Sequence, residues 1–226
     1  MISDVDIVVV DDPARVVAER LAATARAGGH VALAGGSTPR AAYEIAAGLQ
    51  SNWTAVELWW GDERCVPPDD ERSNYRLAKA ALLDRVQAGA VHRMRGELGR
   101  EQGALLYERE LGLLERLDLV LLGLGPDGHV ASLFPEQPTL DETERRVVGA
   151  EAKLEPFVDR ITLTLPVLCG AREVLFLVAG SEKAVAARAA FAGDPSRATP
   201  GSLVRAQDGR TAAVLDAAAA ELLTAA

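Results

Sequence analysis

The residues that usually announce a metal site or a disulfide scaffold are scarce in this 226-residue sequence, which has two cysteines and three histidines. Cys65 and Cys169 do not form a zinc-type spacing or a disulfide framework, and both read as ordinary thiols. His30, His92 and His129 are scattered, with no Cys/His cluster to complete a ligand set, so no metal is expected. There is no Gly-x-x-x-x-Gly-Lys-Ser/Thr loop, and the first strand-to-helix turn lacks Gly-x-Gly-x-x-Gly. ATP and nicotinamide cofactors are therefore unsupported, and the expected cofactor set is none. The Gly-x-Ser-x-Gly elbow of a serine nucleophile is missing too.

Long apolar runs are equally absent. Residues 117–124 and 174–179 are far too short to cross a bilayer, and the N-terminus lacks the basic-then-apolar pattern of a signal peptide. No membrane partner and a cytoplasmic location are the resulting expectations. A basic excess is lacking as well: the formal net charge of -9 argues against an extended nucleic-acid footprint. A small phosphorylated ligand stays open, because a few backbone N–H groups and two or three cations hold a phosphate whatever the total charge.

What is present is ordinary globular material, 49% apolar and 25% charged. The length suits one domain over 1–226 with an ample core, so nothing forces an oligomer and a monomer is expected.

Short β-branched runs alternate with helical stretches. Residues 6–10 read as the first strand, and 13–27 as a helix with Pro13 in its first turn and Gly28-Gly29 past its end. A strand over 31–34, a helix over about 39–49 and a strand over 56–60 follow. In the last of these Val56, Leu58 and Trp60 share one face and Glu57 and Trp59 the other, the pattern of a strand near a sheet edge. Ser73 reads as the N-cap of a helix over 73–83, and helical spacing resumes over 101–115. The nearly uninterrupted apolar run 117–122 fits a central parallel strand covered on both faces. Residues 135–156, rich in Pro, Glu and Thr, read as an irregular surface excursion. Then come a strand over 160–165, a buried strand over 174–178 and a helix over 182–191. An extended segment over 202–206, a strand over 212–215 and a C-terminal helix from about Asp216 complete the chain. This order predicts an α/β fold, an open, mainly parallel, Rossmann-like sheet flanked by helices, with no internal repeat and no linker.

Four polar loops, each containing or preceded by glycine, follow strands of that sheet and would meet at its carboxyl edge, where open α/β sheets bind ligands. In the first, Gly35 and Gly36 let the backbone approach an anion, and Ser37 and Thr38 add hydroxyls at a helix start; the same residues also suit a simple capped turn. The second carries Asp62, Glu63 and Arg64. Arg64 can clamp an anion or a developing oxyanion and Asp62 can position a hydroxyl, water or cation, while a solvated loop explains them equally well. The third, Gly123-Leu124-Gly125-Pro126-Asp127-Gly128-His129, sets an acid two residues from a histidine able to act as a neutral base. The fourth is Gly180-Ser181-Glu182-Lys183. His30 and His92 have no such setting and read as surface or boundary residues.

Six blocks together resemble the 6-phosphogluconolactonase family, which is related to glucosamine-6-phosphate deaminases through a shared α/β fold. They are Ala34-Gly35-Gly36-Ser37-Thr38-Pro39, Asp62-Glu63-Arg64-Cys65-Val66-Pro67, Ser73-Asn74-Tyr75, the third loop continued through Val130-Ala131-Ser132-Leu133-Phe134-Pro135, Arg160-Ile161-Thr162-Leu163-Thr164, and Gly180-Ser181-Glu182-Lys183-Ala184. They run across most of the chain in the family's order. The resemblance implies a carboxylic ester hydrolase that opens 6-phospho-D-glucono-1,5-lactone in the pentose phosphate pathway without a cofactor. Its partner would be that small phosphorylated sugar lactone. By the same resemblance His129 takes the proton of the attacking water and Arg64 stabilises charge near the carbonyl. Asp127 and Asp62 organise the polar site, and Gly35, Gly36, Ser37, Thr38, Arg160 and Lys183 surround the phosphate.

The strongest rival expectation is a glucosamine-6-phosphate deaminase-like aldose-ketose conversion on the same phosphate anchor. In those relatives the loop histidine is followed by a segment with a further acidic residue, whereas here Glu136 comes only after Val130-Ala131-Ser132-Leu133-Phe134-Pro135. A non-catalytic sugar-phosphate-binding protein is the third expectation.

Overall fold

Asp12 opens the first helix of the chain by accepting the Arg15 backbone N–H at 3.0 Å, a cap that contributes about 1 kcal/mol, and Pro13 supplies a pre-set φ for the first turn. Gly28, with φ of 85°, ends the helix. The computed structural model describes residues 5–112, 114–152 and 155–223. In chain order the strands and helices are β1 (Val5–Val9), α1 (Pro13–Ala27), β2 (Gly29–Leu33), α2 (Ser37–Leu49), β3 (Asn52–Trp53), β4 (Val56–Trp60), β5 (Asp62–Arg64) and α3 (Asn74–Ala81). After them come β6 (Gln87–Ala88), α4 (Gly99–Leu111), β7 (Leu119–Leu122), β8 (Val147–Ala150), β9 (Arg160–Leu163), α5 (Leu165–Cys169), β10 (Glu173–Val178), α6 (Ala184–Phe191) and β11 (Arg210–Leu215).

Six strands form one parallel sheet in the order β1-β11-β10-β7-β2-β4. Every residue of β7 and β10 is buried, as strands covered on both faces require. β4 is at the edge predicted from its alternation, and the 90–92 segment covers it by hydrogen bonds between Leu58 and both Ala90 and His92. The chain runs outward from β2 to β4, then returns to β7 on the other side of β2 and proceeds to β10 and β11. Connections leave β2 and β7 in opposite directions, so a crevice opens beyond their carboxyl ends.

Two buried tyrosines hold the strand ends beside that crevice. The Tyr43 hydroxyl, on α2, accepts the Ala34 N–H at 2.8 Å and donates to the Ala34 carbonyl at 2.7 Å. The Tyr107 hydroxyl, on α4, treats Trp60 in the same way, at 2.8 and 3.3 Å. Burial pushes both phenols well above their ordinary range, so they stay neutral donors and acceptors.

Several expectations are corrected. Asp62-Glu63-Arg64 is not a loop but β5, the edge of a second, three-stranded antiparallel sheet ordered β5-β9-β8. The strand expected over 160–165 is therefore β9 of this small sheet, joined to the large one where the Leu163 N–H donates to the Gly61 carbonyl at 2.9 Å. The 135–156 segment contains β8 and a turn of 3-10 helix at Pro138–Asp141; residues 153 and 154 lie outside the described residues. The extended segment expected over 202–206 begins in a 3-10 turn, Pro200–Leu203. The expected C-terminal helix is a run of turns as far as residue 223, since the Ala220 N–H bond to the Asp216 carbonyl is not propagated into a ladder. Residues 224–226 of that expectation are outside the described residues.

Candidate active site

A cleft of about 310 Å³ lies beyond the carboxyl ends of β2, β4, β7 and β10. Its walls include Gly35, Gly36, Ser37 and Thr38 after β2, Asp62 and Arg64 of β5, Gly125 and His129 after β7, and Lys183 after β10. The four segments singled out in the sequence thus converge on one space. Asp127 stands behind His129, and Arg160 is not on the cleft wall.

The loop after β7 is shaped by close approach. His129 Nδ1 lies 2.6 Å from Asp127 Oδ1, and the His129 backbone N–H donates to the same oxygen at 3.2 Å. Gly125 makes room for this pair: a Cβ there would sit 2.0 Å from His129 Nδ1 and 2.6 Å from Asp127 Oδ1. Gly128 takes φ of 86°, and its carbonyl accepts the Gly201 N–H at 2.9 Å, which backs the loop with the Pro200–Leu203 turn. Burial acts to raise the Asp127 carboxyl, but the His129 hydrogen bond and charge, with backbone N–H groups, outweigh it and hold it below the ordinary range. An ionised Asp127 accepts the Nδ1 proton of His129 and leaves Nε2, which has no hydrogen bond within the described residues, as the other ring nitrogen.

Elsewhere on the cleft wall Gly36 precedes the helix α2; its φ of 107° turns the chain and it provides no side-chain cap. The first N–H groups of α2, at Ser37 and Thr38, therefore have no intrahelical partner and meet the cleft with their hydroxyls. Lys183 has no ion pair among the described residues, and the loop that carries it is anchored where the Gly180 N–H donates to the Asp216 carboxylate at 3.0 Å. This part of the wall therefore offers helix N–H groups and the Lys183 ammonium, with the Glu182 carboxylate beside them.

β5 brings two buried carboxylates to this region, Asp62 on the cleft wall and Glu63 off it, which the sequence shows only as a charged triplet. Asp62 Oδ2 accepts the Ser132 hydroxyl at 2.6 Å, and its Oδ1 accepts the Asn74 amide at 3.1 Å. Ser132 follows Ala131, whose φ of 49° is left-handed and costs about 1–2 kcal/mol for a residue with a Cβ. Glu63 turns the other way: it is 2% exposed and accepts the backbone N–H groups of Arg64, Asn74 and Tyr75 and the Ser73 hydroxyl. Burial raises its pKa against those four bonds. Asn74, Ser132 and Glu63 were given no role from sequence. Ser73 is legible as a helix cap, which it is, accepting the Arg76 N–H at 3.1 Å; the side-chain partners of Glu63, Asn74 and Ser132 lie 10, 12 and 70 positions away.

Arg64 reaches the cleft with one Nη donating to the Arg72 carbonyl at 2.7 Å and with a buried, unpartnered Nε. Arg160, its cross-strand neighbour, is 4% exposed, and its guanidinium donates to the Pro156 carbonyl at 3.0 Å and to that of Val158. Burial, then the Arg64 charge, lower its pKa. That geometry spends Arg160 on holding the 156–158 segment behind Arg64. Burial and then the Asp159 charge push the Cys65 thiol up to about 11, the reverse of an activated thiolate. Among the described residues no group of three His, Cys, Asp or Glu side chains is arranged to hold a metal ion.

Comparison with known proteins agrees with this geometry. The family described as glucosamine-6-phosphate isomerases/6-phosphogluconolactonase matches residues 7–213. The chain is 41% identical over 188 residues to a 6-phosphogluconolactonase of Streptomyces coelicolor, covering 76% of this chain and 72% of that one. It is 40% identical over 210 residues to one of Mycobacterium tuberculosis, covering 85% of each. The solved 6-phosphogluconolactonase of Trypanosoma cruzi superposes with a TM-score of 0.87 at 29% identity, covering 99% of this chain and 98% of that one.

Proposed function

We propose, from the premise that this chain belongs to the 6-phosphogluconolactonase family within the glucosamine-6-phosphate isomerase/deaminase superfamily, that it hydrolyses 6-phospho-D-glucono-1,5-lactone to 6-phospho-D-gluconate. The observation that carries this reading is the cleft's lining: a carboxylate-paired histidine shares one space with an uncapped helix N-terminus and with a lysine that has no ion pair among the described residues.

A lactone is a cyclic ester, and its carbonyl carbon accepts water. His129, its Nδ1 proton held by Asp127, takes a proton from that water through Nε2 as the carbon–oxygen bond forms. The carbonyl oxygen gains the negative charge, and Arg64, on the cleft wall, is the cation assigned to receive it. When the tetrahedral intermediate collapses, the ring oxygen leaves and takes the proton back from His129. Asp62, fixed by Ser132 and Asn74, orients a sugar hydroxyl or the water. The phosphate sits at Gly35, Gly36, Ser37, Thr38 and Lys183, where helix N–H groups and a cation favour it, and its binding energy is expressed as orientation at the carbonyl. Nothing in these steps needs a cofactor.

The rival deaminase-like reading needs a further acid beside the histidine. Glu136 is off the cleft wall and lies 3.5 Å from Arg197, so it lends that reading no support. The deciding experiment sets freshly generated 6-phosphogluconolactone against glucosamine 6-phosphate under identical conditions, with the spontaneous rate subtracted. Turnover of the lactone alone is expected; turnover of glucosamine 6-phosphate alone would overturn the proposal.

A further inference from the structure

The lactonase reading uses one buried side chain at the cleft only as a support of Asp62. Asn74, the first residue of α3, is 1% exposed and stands on the cleft wall. Its Nδ2 donates to Asp62 Oδ1 at 3.1 Å and to the Asp62 carbonyl at 2.9 Å. Both partners are acceptors, so the amide can face Asp62 only with its NH₂ group, and the oxygen must point the other way. That Oδ1 is buried and has no hydrogen-bond partner among the described residues. It lies against Gly35: a Cβ at residue 35 would come within 1.9 Å of Asn74 Oδ1 and 2.5 Å of its Cγ.

The backbone at Gly35, unlike that at Gly36, is outside the left-handed region, so conformation alone does not call for glycine there. What the missing side chain provides is space for the Asn74 amide. That amide has no room to yield, because moving away from Gly35 drives it toward Asp62 and its main chain is fixed where the Asn74 N–H donates to Glu63 Oε1 at 2.7 Å. An unpaired buried amide oxygen is unfavourable, and its retention calls for a reason.

We propose that Asn74 is a positioning residue of the reaction. Its amide is bonded to the Asp62 carboxylate and packed against the Gly35-Gly36 loop, so that the phosphate-binding and reacting parts of the cleft keep one separation. The proposal rests on the lactonase reading for what the two parts bind. Its consequence is specific: Asn74 transmits the benefit of the phosphate to the carbonyl chemistry. A side chain that merely supported the fold would affect phosphorylated and unphosphorylated substrates alike.

The test compares kcat/KM for 6-phosphogluconolactone with that for glucono-1,5-lactone in the wild type, Asn74→Ala, Asn74→Asp, Gly35→Ala and the Gly35→Ala/Asn74→Ala double variant. The ratio of the two does not depend on how much enzyme is folded. It is expected to fall roughly tenfold or more in Asn74→Ala. Asn74→Asp, of nearly equal size but lacking the donor, is expected not to restore it. Gly35→Ala should lower the ratio in the wild type and add less than about twofold in the Asn74→Ala background, because the clashing amide is then gone. An unchanged ratio in Asn74→Ala, or losses at the two sites that multiply, overturns the proposal. A wild-type protein inactive on the phosphorylated lactone would instead overturn the functional reading. Thermal unfolding of the same variants then still decides the contact: Gly35→Ala must lower the midpoint in the wild type and leave it unchanged in Asn74→Ala.

Discussion

His129 and His92 each lie against a carboxylate, yet they belong to different parts of the molecule and face different company. His129 Nδ1 is 2.6 Å from Asp127 at the mouth of the sheet, where connections leave β2 and β7 in opposite directions. His92 Nε2 is 3.0 Å from Glu57 beside the edge strand β4, its ring stacked on Trp59 with centroids 3.8 Å apart, and its Nδ1 is 3.6 Å from Glu110. Both nitrogens of His92 are thus turned toward acids, and a ring face is covered. His129 has one nitrogen committed and one available. A short histidine-carboxylate distance therefore identifies a pair, while the second nitrogen and the position in the sheet identify a base.

The largest effect that would test this contrast is His129→Ala. With the proposed base removed, kcat on the lactone should fall by roughly 10²–10⁴-fold while affinity for 6-phosphogluconate changes little. Lactone turnover equal to wild type, after subtraction of the spontaneous rate, removes His129 from the mechanism. Gly125→Ala should come next, at roughly 10²-fold, because its Cβ would occupy space held by the Asp127–His129 pair. Since both changes act on one group, the double variant should be no slower than His129→Ala alone. Independent, multiplying losses would mean that Gly125 acts through something else.

Asp127→Asn is expected to cost less, roughly tenfold, by weakening the hold on the His129 tautomer. It also has a pH signature. Because the folded Asp127 carboxyl titrates below its ordinary value, its stabilising contribution is fully present above the unfolded value of about 3.9 and is lost as pH falls through the folded value. Urea unfolding should show the wild type more stable than Asp127→Asn near neutrality, with the gap closing in acid. A gap that widened in acid would contradict the ionised pair.

The parts of this arrangement that were legible in the sequence are those governed by local spacing. The apolar run in β7 announced a central strand, Pro13 and Gly28 bounded α1, and the glycines of the 123–129 loop marked it as unusual. The β5-β9-β8 sheet was not legible, because Asp62-Glu63-Arg64 has no apolar alternation and pairs with residues about a hundred positions away. Its two carboxylates accept from Ser132, Ser73 and Asn74, which periodicity cannot connect to them. Arg160 illustrates the same limit: a strand-borne arginine was expected at the phosphate, and its guanidinium is directed to two main-chain carbonyls of a neighbouring loop. The four strand-end loops could be brought together on paper because parallel topology alone dictates that they share an edge.

The smallest expected effect sharpens the comparison from the other side. His92→Ala should leave lactone kcat and KM unchanged, since its ring is on the flank of β4 and not on the cleft wall. It should nevertheless cost stability, because removing the ring uncovers the face of Trp59, which is only 3% exposed and also meets Tyr107 edge-on. An aromatic stack of this kind is worth about 0.5–1.5 kcal/mol, so a fall of about 1 kcal/mol in the unfolding free energy is expected by urea titration. The half-buried Glu57 should add little to that loss, as part-solvated ion pairs do. Full activity with lowered stability in His92→Ala, beside lost activity in His129→Ala, would separate the two pairs by function. A slowed reaction in His92→Ala would show that the sheet edge is coupled to the cleft through Trp59 and the Tyr107 hydroxyl that holds Trp60.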